Sequence, residues 1–169
     1  PTRQLVLNFY PRYSVPQADR LRLMKTVEMF RLSPSEAMIS AAAGEVTAVR
    51  LASATAVQYG YAPDNPTALV IELDREVPKG GSVTAEVDCV IRLPNKQGRW
   101  GHWEGIHTLV NALPTAAFYD ADGWHPTPFV PWHQPFWNEA GVYTAKVTLP
   151  REQKLACGAA VKGEWMPDR

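Results

Sequence analysis

A two-residue alternation of apolar and polar side chains over residues 82–94 constrains the fold more than any other feature of this sequence. The stretch SVTAEVDCVIRLP places small or apolar residues at every second position from Val83 to Leu93, with mostly polar residues between them. Successive side chains of a β-strand point to opposite faces of a sheet, so this period predicts a strand with one buried face. The chain therefore contains a sheet that covers an apolar core.

The same period recurs along the chain between turn residues, which indicates an all-β architecture. The 15 prolines and 11 glycines mark many turns. Further strands are predicted in RQLVLNFYP, EVTAVRLA, TAVQYGY, TALVIEL, VYTAKVTLP and LACGAAVKGEW, with shorter ones in IHTLVNALP and AAFYD, whereas NKQGRWGHWEG is predicted to be a loop. We predict an antiparallel β-sandwich whose inward faces are Leu5, Leu7, Phe9, Leu69, Ile71, Leu73, Val83, Ala85, Val87, Cys89 and Ile91.

A helical excursion is predicted near the N-terminus. Between Gln17 and Arg31 the apolar residues fall at helical spacing. A second short helix is predicted from Ser33, as the N-cap, to Gly44, as the stop signal.

The size and charge of the chain suit one domain over residues 1–169. Seventeen basic and seventeen acidic residues cancel, so no net field attracts nucleic acid or an anionic membrane surface, and no apolar run is long enough to span a membrane. The sequence begins at Pro1 without methionine, which we interpret as a trimmed chain or a fragment of a larger multidomain protein. Nothing in it indicates a compartment.

Cys89 and Cys157 are expected to be two buried thiols, with a disulfide as the less favoured alternative. Cys89 belongs to the apolar set of its strand, and Cys157 lies one alternation from Leu155. A disulfide-stabilised secreted domain of this size would usually carry more cysteines.

No set of residues with the spacing of a reaction centre is recognisable. In HWEGIH, His102 and His107 are five residues apart, which would place them on opposite faces of one strand, and glycines interrupt any helix. We therefore expect no metal site in this chain. Asp120 and Asp122 belong to DADG, a typical turn sequence.

An aromatic stretch from Trp124 to Trp137 is the most unusual feature. Four of its large aromatic residues, interleaved with prolines, are singled out: Trp124, Trp132, Phe136 and Trp137. Flat rings on a stiff loop can stack on sugars. Burial of the rings against the sandwich or against a neighbouring domain is the favoured alternative.

Several stretches, in order, resemble the non-catalytic N-terminal domain of the aminopeptidase N family of zinc metallopeptidases, in its bacterial branch. LVLNFYP resembles the family's L-x-F-x-L-Y-P strand, and the segment around PKGG resembles its paired strands around P-x-x-G. NALPTAAFYDADGWHPTPF resembles its W-x-P-x-x-x-V-Y-D-x-x-G-W stretch, and FWNEAGVYTAKVTLP resembles an acidic pair followed by a strand. The resemblance covers residues 5–158.

The resemblance implies an accessory domain that packs against a catalytic domain and frames its substrate entrance. The zinc and the H-E-x-x-H motif would belong to that catalytic domain beyond Arg169, which would contact peptide substrates and be the partner of this chain. Asn111 and Glu139 are then the candidate substrate-framing residues, and the four aromatic residues named above are the candidate interface. A stand-alone carbohydrate- or protein-binding module that uses the tryptophans remains the alternative.

Overall fold

The computed structural model describes residues 1–29, 31, 41–52, 57–130 and 138–163. These residues contain one α-helix, ten β-strands and two 3-10 turns, at Tyr10–Arg12 and Gln17–Asp19. The helix is α1 (Arg20–Met29), and the strands are β1 (Thr2–Asn8), β2 (Gly44–Leu51), β3 (Tyr59–Ala62), β4 (Asn65–Val77), β5 (Ala85–Ile91), β6 (Gly101–Trp103), β7 (Ile106–Thr108), β8 (Thr115–Ala116), β9 (Phe118–Asp120) and β10 (Gly123–His125). No helix of the described residues is long and apolar enough to cross a membrane. The contacts divide the chain into two compact units, Pro1–Glu139 and Ala140–Arg169.

The larger sheet of the first unit has the strand order β3-β4-β1-β8, and all its neighbouring strands are antiparallel. In the central pair Leu5 lies opposite Ile71 and Leu7 lies opposite Leu69. Strand β1 is therefore covered on both edges, by β4 and by the short β8.

The second sheet consists of β2 and β5, which pair antiparallel with Val49 opposite Val87. One apolar core joins the inner faces of the two sheets, and Phe9, Leu69 and Ile71 are completely buried in it. The predicted β-sandwich is confirmed, and every residue of its predicted inward faces belongs to this core: Leu5, Leu7, Phe9, Leu69, Ile71, Leu73, Val83, Ala85, Val87, Cys89 and Ile91.

The helical excursion is confirmed as a 3-10 turn followed by α1. Leu23 and Val27, one helical turn apart, are buried against Val15 in a small separate cluster. The second predicted helix falls mainly on residues 32–40, outside the described residues.

The loop predicted over residues 95–105 is confirmed for 96–100 and wrong near its end, where Gly101–Trp103 form the first strand of a β-hairpin. Glu104 and Gly105 both have positive φ, at 47° and 82°, and join β6 to β7. Two central residues of this kind give the tight turn whose twist matches paired strands. Gly105, which argues against a helix in the sequence, is thus one of the two turn residues of a hairpin.

The strands predicted in VYTAKVTLP and LACGAAVKGEW are also wrong. Residues 140–163, the described part of the second unit, contain neither helix nor strand, and Val142 is fully exposed. Alternation makes a segment suitable for a strand, but a strand forms only when another backbone satisfies its hydrogen bonds. Cys157 lies in this unit and is exposed, contrary to expectation, whereas Cys89 is half-buried, and both thiols are free.

A close backbone approach at the start of β2 requires a glycine. A Cβ atom on Gly44 would lie 2.5 Å from Cβ of Pro11 and 2.8 Å from the ring of Phe9. Both neighbours are buried, so neither has room to move. Gly44 therefore lets β2 close over the end of β1.

We expect Gly44→Ala to lower the free energy of unfolding by about 1–3 kcal/mol, which is typical of overpacking in a core. The matched control is Gly60→Ala in β3, where an added Cβ meets no atom within 4 Å. Alanine there should be neutral or slightly stabilising, because it restricts the unfolded chain. Urea unfolding of the two variants compares them, and equal stabilities would contradict the close approach.

Candidate functional site

Tyr10 is the residue that connects the aromatic stretch to the rest of the first unit. Directly after β1 its side chain enters a cluster with Trp100 and Ala112, all three buried, and Phe129 packs against them. Phe9, the preceding residue, enters the core between the sheets. Tyr10 therefore connects the sandwich to the loops at its edge.

The first part of the aromatic stretch is anchored by Phe129. Its ring centroid lies 5.9 Å from that of Tyr10, 4.8 Å from that of Tyr13 and 5.0 Å from that of Trp100. The guanidinium of Arg99 stands 5.7 Å from the centre of the same ring, within the range of a cation–π contact. Residues 126–130 thus leave β10 along an aromatic surface of the first unit.

The aromatic stretch returns to the same place through Asn138. Nδ2 of Asn8 donates a hydrogen bond to Oδ1 of Asn138 at 2.6 Å, and the hydroxyl of Tyr10 donates to the same oxygen at 3.4 Å. Asn138 also forms an isolated β-bridge with Ala117. Phe129 and Asn138, on either side of segment 131–137, therefore both contact Tyr10.

Glu139 follows this anchor directly. Its backbone N–H donates to the carbonyl of Ala116 at 3.4 Å, and its side chain is exposed. Glu139, which the family resemblance makes a candidate substrate-framing residue, is thus held by a backbone hydrogen bond, and its carboxylate faces solvent.

Asn111, the other candidate framing residue, lies on a loop attached to the same cluster. It is exposed and adopts a left-handed backbone conformation, with φ of 50°. On one side the carbonyl of Val110 accepts a hydrogen bond from Nε1 of Trp100 at 2.8 Å, and on the other Ala112 is buried. The loops of Asn111 and Glu139 therefore share one support, the Tyr10 cluster.

Trp124 lies in strand β10 rather than in a loop. Its indole Nε1 donates to the carbonyl of Gln4 at 3.1 Å and to Oγ1 of Thr2 at 3.2 Å, and its ring lies 4.7 Å from that of Tyr119. These contacts attach the β9–β10 hairpin to β1. Trp132, Phe136 and Trp137 lie outside the described residues, so their place at an interface stays a prediction.

The histidines occur in two different arrangements. His102 and His107 lie directly opposite each other on β6 and β7, with ring centroids 4.5 Å apart. The expectation that they face opposite ways is wrong, because a turn separates them and a hairpin brings such residues onto one face. Nε2 of His125, in contrast, lies 2.8 Å from Oδ1 of Asp120.

The DADG sequence forms the turn between β9 and β10. Oδ1 of Asp120 accepts a hydrogen bond from the backbone N–H of Asp122 at 2.9 Å, which is the turn role expected for these residues. The hydrogen bond with His125, reinforced by the backbone donors of the turn, holds the pKa of Asp120 below its usual value. In the described parts of the chain, no three His, Cys, Asp or Glu side chains converge to form a metal site.

Sequence reasoning missed the residues that organise this site, namely Tyr10, Trp100 and Phe129. Tyr10 lies at the end of a predicted strand, just before Pro11, whereas Trp100 and Phe129 lie in segments predicted to be loops. Only the density of aromatic residues could have drawn attention to them.

The geometry defines a class of protein, an antiparallel β-sandwich domain with loops assembled on one aromatic cluster. Comparison of the chain with protein-family models, with curated protein sequences and with solved structures finds no match.

Tyr10 should make stability depend on pH in the alkaline range. Burial opposes ionisation of its phenol and raises the pKa from 10.0 to about 12, although the hydrogen bond with Asn138 lowers it. The folded state therefore holds this proton more tightly than the unfolded state, so the stabilisation is full below pH 10 and is lost as pH rises towards 12. We expect the free energy of unfolding to fall less steeply over this range in Tyr10→Phe than in the parent. Parallel slopes in urea titrations would contradict the assignment.

Asn138→Ala should reduce stability because it leaves the buried Nδ2 of Asn8 without its acceptor. Oδ1 of Asn8 already has no partner among the described residues. An unsatisfied buried amide costs about 1–3 kcal/mol. The neighbouring Glu139→Ala removes only an exposed side chain and should change stability by less than about 0.5 kcal/mol. Equal losses in chemical denaturation would show that Asn138 anchors nothing.

Proposed function

We propose that this chain is the accessory, non-catalytic N-terminal domain of an aminopeptidase-N-like zinc metallopeptidase. Its function is to pack against a catalytic domain and to frame the entrance through which peptides reach the zinc. In this proposal the zinc and the bond-breaking residues belong to the catalytic domain, and the sandwich provides shape and positioned loops.

The main support is that three of the four family-like sequence motifs coincide with features that the sandwich uses, whereas the strand expected in the fourth, VYTAKVTLP, is absent. LVLNFYP is β1 followed by the Tyr10–Arg12 turn. In PKGG the backbone N–H of Gly81 donates to the carbonyl of Pro78 at 2.9 Å and turns the chain between β4 and β5. YDADGW is the β9–β10 hairpin that Trp124 attaches to β1.

A second support is that the loops proposed to face a partner are attached to the same buried cluster. The loops of Asn111 and Glu139, and the residues Phe129 and Asn138 that flank segment 131–137, are held on the Tyr10 cluster. Framing a substrate entrance requires exposed groups on a rigid base, and buried aromatic rings provide such a base. Asn111 and the carboxylate of Glu139 are the exposed groups here.

The gene provides the first test. We expect the reading frame that encodes this chain to continue into an H-E-x-x-H motif with a further glutamate downstream, within the next few hundred codons. A stop codon directly after Arg169 would contradict the proposal and would favour a stand-alone binding module.

Binding provides the second test, with the catalytic domain encoded by that reading frame. We expect this chain to bind it, and Trp132→Ala combined with Trp137→Ala to weaken binding at least about tenfold, as buried interface tryptophans commonly do. Trp103→Ala is the control, because it removes an exposed tryptophan on β6, outside the sequence from Trp124 to Trp137. If the double variant instead loses binding to a sugar on a glycan array and the catalytic domain does not bind, the carbohydrate-binding module replaces our proposal.

A further inference from the structure

The β6–β7 hairpin presents two imidazoles in a position where a metal ion can join them. His102 and His107 are cross-strand neighbours, and their rings are 4.5 Å apart between centroids with an interplanar angle of 32°. They are also close to solvent, since His107 is exposed and His102 is half-buried. A dissolved ion can therefore reach them without opening the fold.

The register of the hairpin makes this the closest kind of cross-strand pair. The N–H of His102 donates to the carbonyl of Pro94 at 2.9 Å, and its carbonyl accepts from Lys96 at 3.0 Å. Both backbone groups of His102 thus point away from β7, so His102 and His107 form a non-hydrogen-bonded pair. Side chains at such positions are closer than at hydrogen-bonded positions.

The surroundings fix this pair in place. The bridge between Asn95 and His102 supports β6 from its outer edge, and a two-residue turn limits the separation of the strands. The other face of the hairpin carries Trp103 and Ile106, which line a shallow cavity of ≈ 210 Å³ with Lys96 and Thr108 among its walls. The two faces differ in chemistry, because only one presents imidazoles.

The imidazole nitrogens of the pair are available to a ligand. Within the described ranges of the chain, neither ring makes a side-chain hydrogen bond or an ion pair, whereas His125 is engaged by Asp120. A metal with nitrogen ligands at about 2.0–2.1 Å needs the two nitrogens roughly 3 Å apart. Rotation of two facing rings about their side-chain bonds achieves this spacing.

We propose that His102 and His107 form an exchangeable surface site for a divalent transition-metal ion. Imidazole suits Ni²⁺, Cu²⁺ and Zn²⁺, and affinity for such a nitrogen site should follow Cu²⁺ above Ni²⁺. Two protein ligands leave further coordination positions for water or for a side chain of another molecule. This proposal departs from the sequence-based expectation of no metal site, which depended on placing the two histidines on opposite faces of one strand and on the glycines that interrupt any helix.

The test is calorimetric titration of the full chain with Ni²⁺, in a Cys157→Ser background that removes the exposed thiol. We expect one ion per chain, with at least about tenfold weaker binding in His102→Gln combined with His107→Gln, because a chelating pair binds far more tightly than single ligands. The matched control, His125→Gln combined with His133→Gln, removes the same number of imidazoles and should bind like the parent. Equal loss in both double variants, or no binding by the parent, overturns the proposal.

A variant that exchanges two neighbouring residues tests whether metal binding depends on strand pairing or only on the closeness of the histidines in the sequence. Exchanging two neighbours, as His107→Thr with Thr108→His, keeps the composition and moves one imidazole to the face of Trp103 and Ile106. We expect this variant to lose binding to the same extent as His107→Thr alone, with the circular dichroism spectrum confirming that it folds. Parent-like affinity in the exchanged variant would show that the histidines bind independently of the hairpin and would overturn the proposal.

Discussion

The divergence of two adjacent side chains, Phe9 and Tyr10, is the constraint on which the rest of the structure depends. Phe9 is completely buried between the two sheets, whereas Tyr10 is buried in a different cluster with Trp100, Ala112 and Phe129. Within a strand, successive side chains point to opposite faces of the sheet, so a core residue is normally followed by one on the other face. Here the chain turns at Tyr10–Arg12, so both rings are buried and the sandwich core is continuous with the support for the loops.

This arrangement explains how the described residues on either side of segment 131–137 are held in place. Phe129 contacts the Tyr10 cluster through its ring, and Asn138 reaches it through hydrogen bonds. Phe129 is held by the burial of its aromatic ring, and Asn138 is held by directional hydrogen bonds to its side-chain oxygen.

The outer face of the second sheet uses charge instead of packing. Arg50 on β2 lies 3.1 Å from Glu86 and 2.9 Å from Asp88 on β5, and this guanidinium holds the pKa of Asp88 below its usual value. Exposed ion pairs of this kind contribute little to stability. Charges along short exposed strands do discourage pairing with other chains. The same alternation that buries Val49 and Val87 thus keeps the opposite face polar.

The sequence by itself determined the sandwich and its buried faces, because period-two alternation specifies which side of a strand is apolar wherever a core is available to cover it. It also determined the turns at Gly80 and Asp120, since these depend on local backbone chemistry. It could not determine which alternating segments find a partner strand, so residues 142–149 were assigned a strand that the structure does not contain. Nor could spacing along the chain reveal that His102 faces His107, or that Tyr10, Trp100 and Phe129 meet. Those contacts join residues across turns and between distant segments, so only the tertiary structure decided them.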